Sequence, residues 1–203
     1  MGLKLITPPS QLPITLEEVK ERLRVDFSDE DDKIEELITA ATRYLDGKNG
    51  RLSRALVEQT WELALDAFPR RRMLRSFSEL HHVDPSEITI PLPPLIAIDS
   101  IAYTDANGSE QTLSSNQYEV DITSEPARLR PASGTCWPCT KCVMNAVRIT
   151  FRAGYVDDAE PPVMAVPDDI KTAIALHVKS LYDEVPLPPD YDDTISIYQV
   201  RGF

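Results

Sequence analysis

Apolar positions recur at helical spacing between residues 15 and 45, and beyond residue 59 the pattern changes to alternation. Thr15-Leu16-Glu17-Glu18 has the form of a capping box, in which Thr15 and Glu18 satisfy each other's end of the backbone. Leu16, Val19 and Leu23 follow on one face, which predicts a first helix ending near Arg24. Ser28 is placed to cap a second, longer helix. Asp29, Glu30, Asp31 and Asp32 fill its first turn, where the helix dipole favours negative charge, so this run is read as capping rather than metal binding. Ile34, Leu37, Ile38, Ala41 and Leu45 form a single stripe, and Gly47 with Asn49-Gly50 ends the helix.

Trp61, Leu63 and Leu65 then alternate with polar neighbours, the period of a half-buried strand. Ile88-Thr89-Ile90 leads into Pro91-Leu92-Pro93-Pro94, an edge or a bend, because proline cannot donate to a ladder. Ile98–Thr104 and Glu110–Leu113 flank Asp105-Ala106-Asn107-Gly108-Ser109, a hairpin signal. Tyr118, Val120 and Ile122 alternate in the same way, as do Val147, Ile149 and Phe151. These strands require one sheet or two small ones with a covered face.

A last helix opens at Pro167, with Asp168 and Asp169 in its first turn and Ile170, Ala173, Ile174, His177 and Leu181 on its apolar face. After Glu184 the chain becomes an acidic, proline-stiffened linker, Val185 to Asp193, and closes on the apolar segment Thr194 to Phe203. Such a tail gains more from a partner's groove than from water. The pattern predicts an α+β fold. Its parts are a small helical bundle of N-terminal and C-terminal helices, an inserted antiparallel β-rich region, and an extended C-terminal arm. The boundaries follow the changes of period: residues 1–54 helical, 55–156 β-rich, 157–185 the helix completing the bundle, and 186–203 the tail.

With 203 residues and a net charge of −12, the chain can bury a real core and carries an acidic surface. No apolar run reaches the roughly 20 residues of a membrane span, and the N-terminus has no secretory apolar stretch, so folding in cytoplasm and no membrane partner are expected. Net negative charge disfavours nucleic-acid binding, whose affinity comes from cations on phosphates. Pro69-Arg70-Arg71-Arg72-Met73-Leu74-Arg75 is the one basic run, and it is read as a solvated loop or a contact to an acidic protein neighbour, with nucleic acid the lesser option.

The chemically suggestive motif is Cys136-Trp137-Pro138-Cys139-Thr140-Lys141-Cys142. Structural zinc wants four ligands, and only three cysteines are present, so His81 or His82 would have to fold back as the fourth. A redox Cys-x-x-Cys belongs at the start of a helix, where the thiol pKa is lowered, and no helix is predicted after this one. The motif is therefore read as a long hairpin loop carrying reduced thiols, with zinc or thiol-redox chemistry through Cys136, Cys139 and Cys142 as the alternative. His177 lies on an apolar face and is read as a packed or interface histidine. Neither a nucleophile elbow nor a phosphate-cradling glycine loop occurs. No catalytic residue and no cofactor are predicted.

Four stretches, in order, resemble the head–tail connector (adaptor) family of long-tailed phages, prophages and gene transfer agents. They are Ile14–Lys20 with the acidic-capped helix after it; Leu56–Pro69 around Trp61; Ile90–Leu95 running into Ile98–Asp105; and Trp137-Pro138, then Asn145–Tyr155, then Val166-Pro167. The resemblance spans most of residues 14–184, and the three cysteines depart from it. It implies a structural, non-enzymatic subunit of a ring, usually of twelve copies, in the virion neck. Such a ring docks beneath the portal, continues the DNA channel without specific DNA binding, and offers a platform to the next neck or tail protein. A different neck protein, for head closure or the tail end, is the neighbouring alternative. By position, portal engagement would fall to Ile195, Ile197, Tyr198, Val200 and Phe203. Contacts between neighbouring subunits are expected from the second and last helices, through Ile38, Ala41, Leu45, Ile174, His177 and Leu181.

Overall fold

The computed structural model describes residues 2–69, 86–157 and 163–200. The chain divides into two compact units. A β-rich unit comprises residues 1–7, 60–91 and 95–152, and a helical unit comprises 8–59, 92–94 and 153–203. The fold class is α+β, as predicted.

In the helical unit, α1 spans Leu16–Leu23 and α2 spans Asp31–Leu45; α3 spans Asp168–Tyr182 and α4 spans Tyr191–Ser196. The capping box of α1 forms in full: Glu18 N–H donates to Thr15 Oγ1 at 3.1 Å and Thr15 N–H to Glu18 Oε2 at 2.8 Å. The start of α2 differs from expectation. Glu30 holds the cap position without a side-chain bond, and Ser28 sits in the turn before it, its carbonyl accepting from Asp31 N–H at 3.2 Å. The stripes of α2 and α3 close on each other, and Val19, Ile34, Ile38, Ile170, Ile174 and Val178 are fully buried between the helices. At the outer surface Lys20 meets Asp31 at 2.5 Å, and Tyr182 donates to Glu30. Among the described residues no helix is long and apolar enough to cross a membrane.

The carboxylate of Asp46, just past α2, organises the chain after it. Its Oδ1 accepts from Leu56 N–H at 2.7 Å, and both of its oxygens accept from the Gln59 amide at 3.1 Å. The proline stretch 92–94 lends its carbonyls to this unit, accepting from Ala55 N–H at 3.2 Å and Gly154 N–H at 3.0 Å. Gly154 has φ +144°, and a Cβ there would lie 2.5 Å from the backbone of Val57 and Glu58, so only glycine allows these two backbone segments to approach so closely.

The β-rich unit holds two sheets. Five strands run in the order β1-β2-β8-β4-β5: Gly2–Thr7, Gln59–Leu65, Val147–Ala153, Leu95–Thr104 and Glu110–Thr112. Three more run β3-β7-β6: Ile88–Ile90, Ala127–Pro131 and Tyr118–Asp121. In β8 the predicted alternation is complete, with Val147, Ile149 and Phe151 buried. Strand β1, which the sequence pattern does not announce, pairs antiparallel with β2 from Gly2 opposite Ala64 to Thr7 opposite Thr60.

Candidate functional site

The most developed contact surface in the helical unit is the seat of its own C-terminal segment. An extended arm was expected; instead the extended stretch is short, and α4 lies on the bundle with Tyr191 and Ile195 buried. The two are four residues apart and so share a helix face. Tyr44 meets His177 edge-on at 4.7 Å between ring centroids, and His177 meets Tyr191 at 5.9 Å. Beyond α4 the seat grips the main chain. Arg54, itself buried, donates from Nε to the Tyr198 carbonyl and from a terminal nitrogen to the Tyr155 hydroxyl at 3.2 Å. Val200 N–H donates to the Leu52 carbonyl at 3.1 Å. At the rim, Arg51 pairs with Asp192 at 2.8 Å, and the Tyr198 hydroxyl donates to Asp169 at 3.1 Å.

Burial dominates the electrostatics of this seat. It pushes the Tyr191 hydroxyl well above the usual tyrosine range and His177 below the usual histidine value, so both are neutral. The Tyr191 hydroxyl and His177 Nδ1 are buried without a hydrogen-bond partner among the described residues.

Of the residues expected to engage the portal, Ile195 is already covered, Ile197 is 72% exposed, Tyr198 and Val200 are half-buried, and Phe203 lies outside the described residues. Of the six expected at the subunit interface, Ile38, Ala41, Leu45 and Ile174 are fully buried in the unit's own core. His177 is buried in the aromatic cluster just described, and only Leu181, 39% exposed, offers surface. The burial has a simple cause: an apolar stripe is covered first by other elements of the same chain, and α2 and α3, far apart in sequence, cover each other's.

The cysteine loop joins β7 to β8, which belong to different sheets, so it is a crossover rather than the expected hairpin. All three thiols are free and exposed. What fixes the loop is Trp137. Its ring stacks on Phe68 at 4.8 Å with planes 7° apart, and its Nε1–H donates to the Ser86 carbonyl at 2.6 Å. Backbone bonds from Lys141 N–H to the Thr104 carbonyl at 3.1 Å and from Thr104 N–H to the Ala146 carbonyl at 2.8 Å tie down the rest. Among the described residues, no three His, Cys, Asp or Glu side chains gather as a metal site. His81, His82 and the basic run at Arg70–Arg72 and Arg75 lie outside the described residues.

The described arginines of the β-rich unit are matched to carboxylates. Arg128 pairs with Asp121 at 2.5 Å, Arg130 with Glu119 at 2.7 Å, Arg148 with Glu110 at 2.6 Å and Arg152 with Asp99 at 3.1 Å. Hydrogen bonds from Thr123, Arg128 and Ser124 hold the Asp121 carboxyl far below its ordinary range. Cations committed in this way are poor footing for a phosphate backbone.

The family model described as "Phage gp6-like head-tail connector protein" matches residues 13–128, more than half of the chain. Three solved structures resemble the chain over its whole length, each covering 100% of it and 98% of the other chain. One is from the virion of a native gene transfer agent particle, with a TM-score of 0.72 and 20% identity. A second is from the neck of an empty gene transfer agent particle computed with C6 symmetry, at 0.70 and 20%. The third is from the neck of a native particle computed with C12 symmetry, at 0.63 and 18%. No curated protein matches.

Proposed function

The chain belongs to the phage gp6-like head-tail connector protein family, and from that premise we propose that it is a structural subunit of a closed ring in the virion neck. The ring sits beneath the portal, continues the channel through which DNA passes, and presents a platform to the next neck or tail protein. The observation that carries this reading is the family match joined to whole-length likeness with chains from necks computed with C6 and C12 symmetry. Twelve copies is the number in view.

The chemistry of the chain agrees with such a role. A net charge of −12 and arginines neutralised by carboxylates suit a wall that DNA must slide past, because repulsion prevents adhesion. No nucleophile–base pair occurs among the described residues singled out above, and the one well-built site holds a segment of protein. The C-terminal segment is the part that would meet the portal, with Ile197 outward and Ile195 as its anchor in the seat. Contacts between subunits are heterologous, one face meeting a different face of the next copy, as ring closure requires. On the helices these contacts use the outward side, where Tyr44 and Leu181 are each more than a third exposed.

Electron microscopy and mass photometry of the concentrated protein, alone and mixed with portal, test the reading. Closed rings with a central channel are expected. A chain that stays monomeric at every concentration and ignores portal would refute it.

A further inference from the structure

We infer that the seat under α4 is built to take residues 190–200 from a neighbouring copy of the chain, so that C-terminal segments are exchanged around the ring. The inference rests on the ring reading above.

The seat recognises its occupant in a way indifferent to which chain supplies it. Arg54 and the Leu52 carbonyl address the main chain at Tyr198 and Val200, and the buried face takes Tyr191 and Ile195. Identical contacts form whether the segment arrives from its own chain or from an identical one, which is the condition for exchanging an element between protomers.

The connection to the seat has the character of a hinge. Val185 N–H still bonds the Ser180 carbonyl at 3.0 Å, and Pro186-Leu187-Pro188-Pro189 follows. Its three prolines have no N–H to lose on straightening. Glu184, at φ +54°, closes α3 together with the Val185–Ser180 bond, so the turning point lies in the proline run after it.

At the rim little holds the segment in place: the Arg51–Asp192 pair is about half exposed and therefore weak. An empty seat is nevertheless costly. It would uncover apolar surface and take from the buried Arg54 guanidinium one of its acceptors. A segment that leaves must be replaced, and in a ring of identical copies the replacement that fits is the neighbour's residues 190–200.

Cross-linking in a background with Cys136, Cys139 and Cys142 changed to Ser decides it. One full-length variant carries Arg51→Cys and another Asp192→Cys, at positions whose native side chains touch. The two are co-folded in equal amounts, concentrated to assemble, treated with a short bismaleimide and run on a denaturing gel, with mass photometry reporting assembly separately. A covalent dimer containing one chain of each kind, absent when either variant is assembled alone, is the expected result. Rings that yield no mixed dimer, while an Arg51→Cys/Asp192→Cys double variant cross-links only within each chain, overturn the exchange and leave the ring reading standing. Failure to assemble at all overturns both.

Discussion

Replacing Trp137 with alanine removes the side chain on which the cysteine loop is hung. The ring is 8% exposed, stacked on Phe68 at 4.8 Å, and Phe68 in turn meets Tyr103 at 5.7 Å. Burying roughly 200 Å² of indole at about 25 cal/mol/Å² gives an upper bound near 5 kcal/mol. Loss of the indole N–H leaves the Ser86 carbonyl short of a donor, adding about 1 kcal/mol. Relaxation of a loop at the edge of the sheet recovers part of this, so a loss of about 3–4 kcal/mol is expected, within the span measured for buried Trp→Ala changes. Trp137→Phe keeps the stack and gives up the hydrogen bond, for about 1–1.5 kcal/mol. The triple Cys→Ser variant removes three exposed thiols and should stay within about 0.5 kcal/mol of the parent. Urea unfolding followed by far-UV circular dichroism measures all three, and Trp61 remains as a fluorescence reporter. Metal analysis of the purified chain accompanies it. Should the serine variant lose more stability than Trp137→Ala, or shed stoichiometric zinc as it unfolds, the loop is held by its sulfurs and the reasoning fails.

Three further outcomes follow from particular atoms. Asp46 is pushed above its ordinary carboxyl range by burial, against the pull of the bonds from Leu56 and Gln59, so the folded state holds its proton more tightly than the unfolded state does. Its charged form therefore costs stability as pH rises through the raised value. On lowering the pH from neutral into the carboxylate range, the urea midpoint of the parent should gain on that of Asp46→Asn, and a constant difference would contradict the assignment. Gly154→Ala drives a Cβ to 2.5 Å from the Val57–Glu58 backbone at φ +144°, so a loss of about 3 kcal/mol or more, or insoluble protein, is expected. Melting like the parent would show that the two backbone segments part easily. Tyr191→Phe deletes a buried hydroxyl with no partner among the described residues and should stabilise by about 1 kcal/mol, read as a raised melting temperature and slower proteolysis of the C-terminal segment. A lower melting temperature would mean the hydroxyl has a partner, such as a bound water.

Much of the fold was legible because its local signals are strong. The capping box at Thr15, the stripe of α2 and the two-residue alternation in β8 each state a period over enough residues to fix both type and facing. Short elements were not legible. Strand β1 is six residues ending at two prolines, and α4 is a turn and a half whose only periodic trace is Tyr191 and Ile195; both are formed by what they dock on. Ser28 looked like a cap, yet a turn intervenes before α2 begins at Asp31. At the candidate sites less was legible. The cysteine run reads as a loop of reduced thiols with sulfur chemistry as the alternative, but nothing in its spacing says that Trp137 makes the packing contact. Of the stripe residues assigned to contacts between copies, all but Leu181 are covered within the copy. Periodicity reports that a face is apolar but does not say which neighbour covers it.

Arg54 clasps a peptide carbonyl, and Leu52 receives a peptide N–H two residues further on. A fastening made to the polypeptide spine leaves the exposed side chains of Ile197 and Gln199 outside its terms. The tip of the chain could be rewritten to suit a different mate, or lengthened with a label, while the clasp goes on holding it. In this corner of the molecule, attachment and specificity are assigned to different atoms and can change independently.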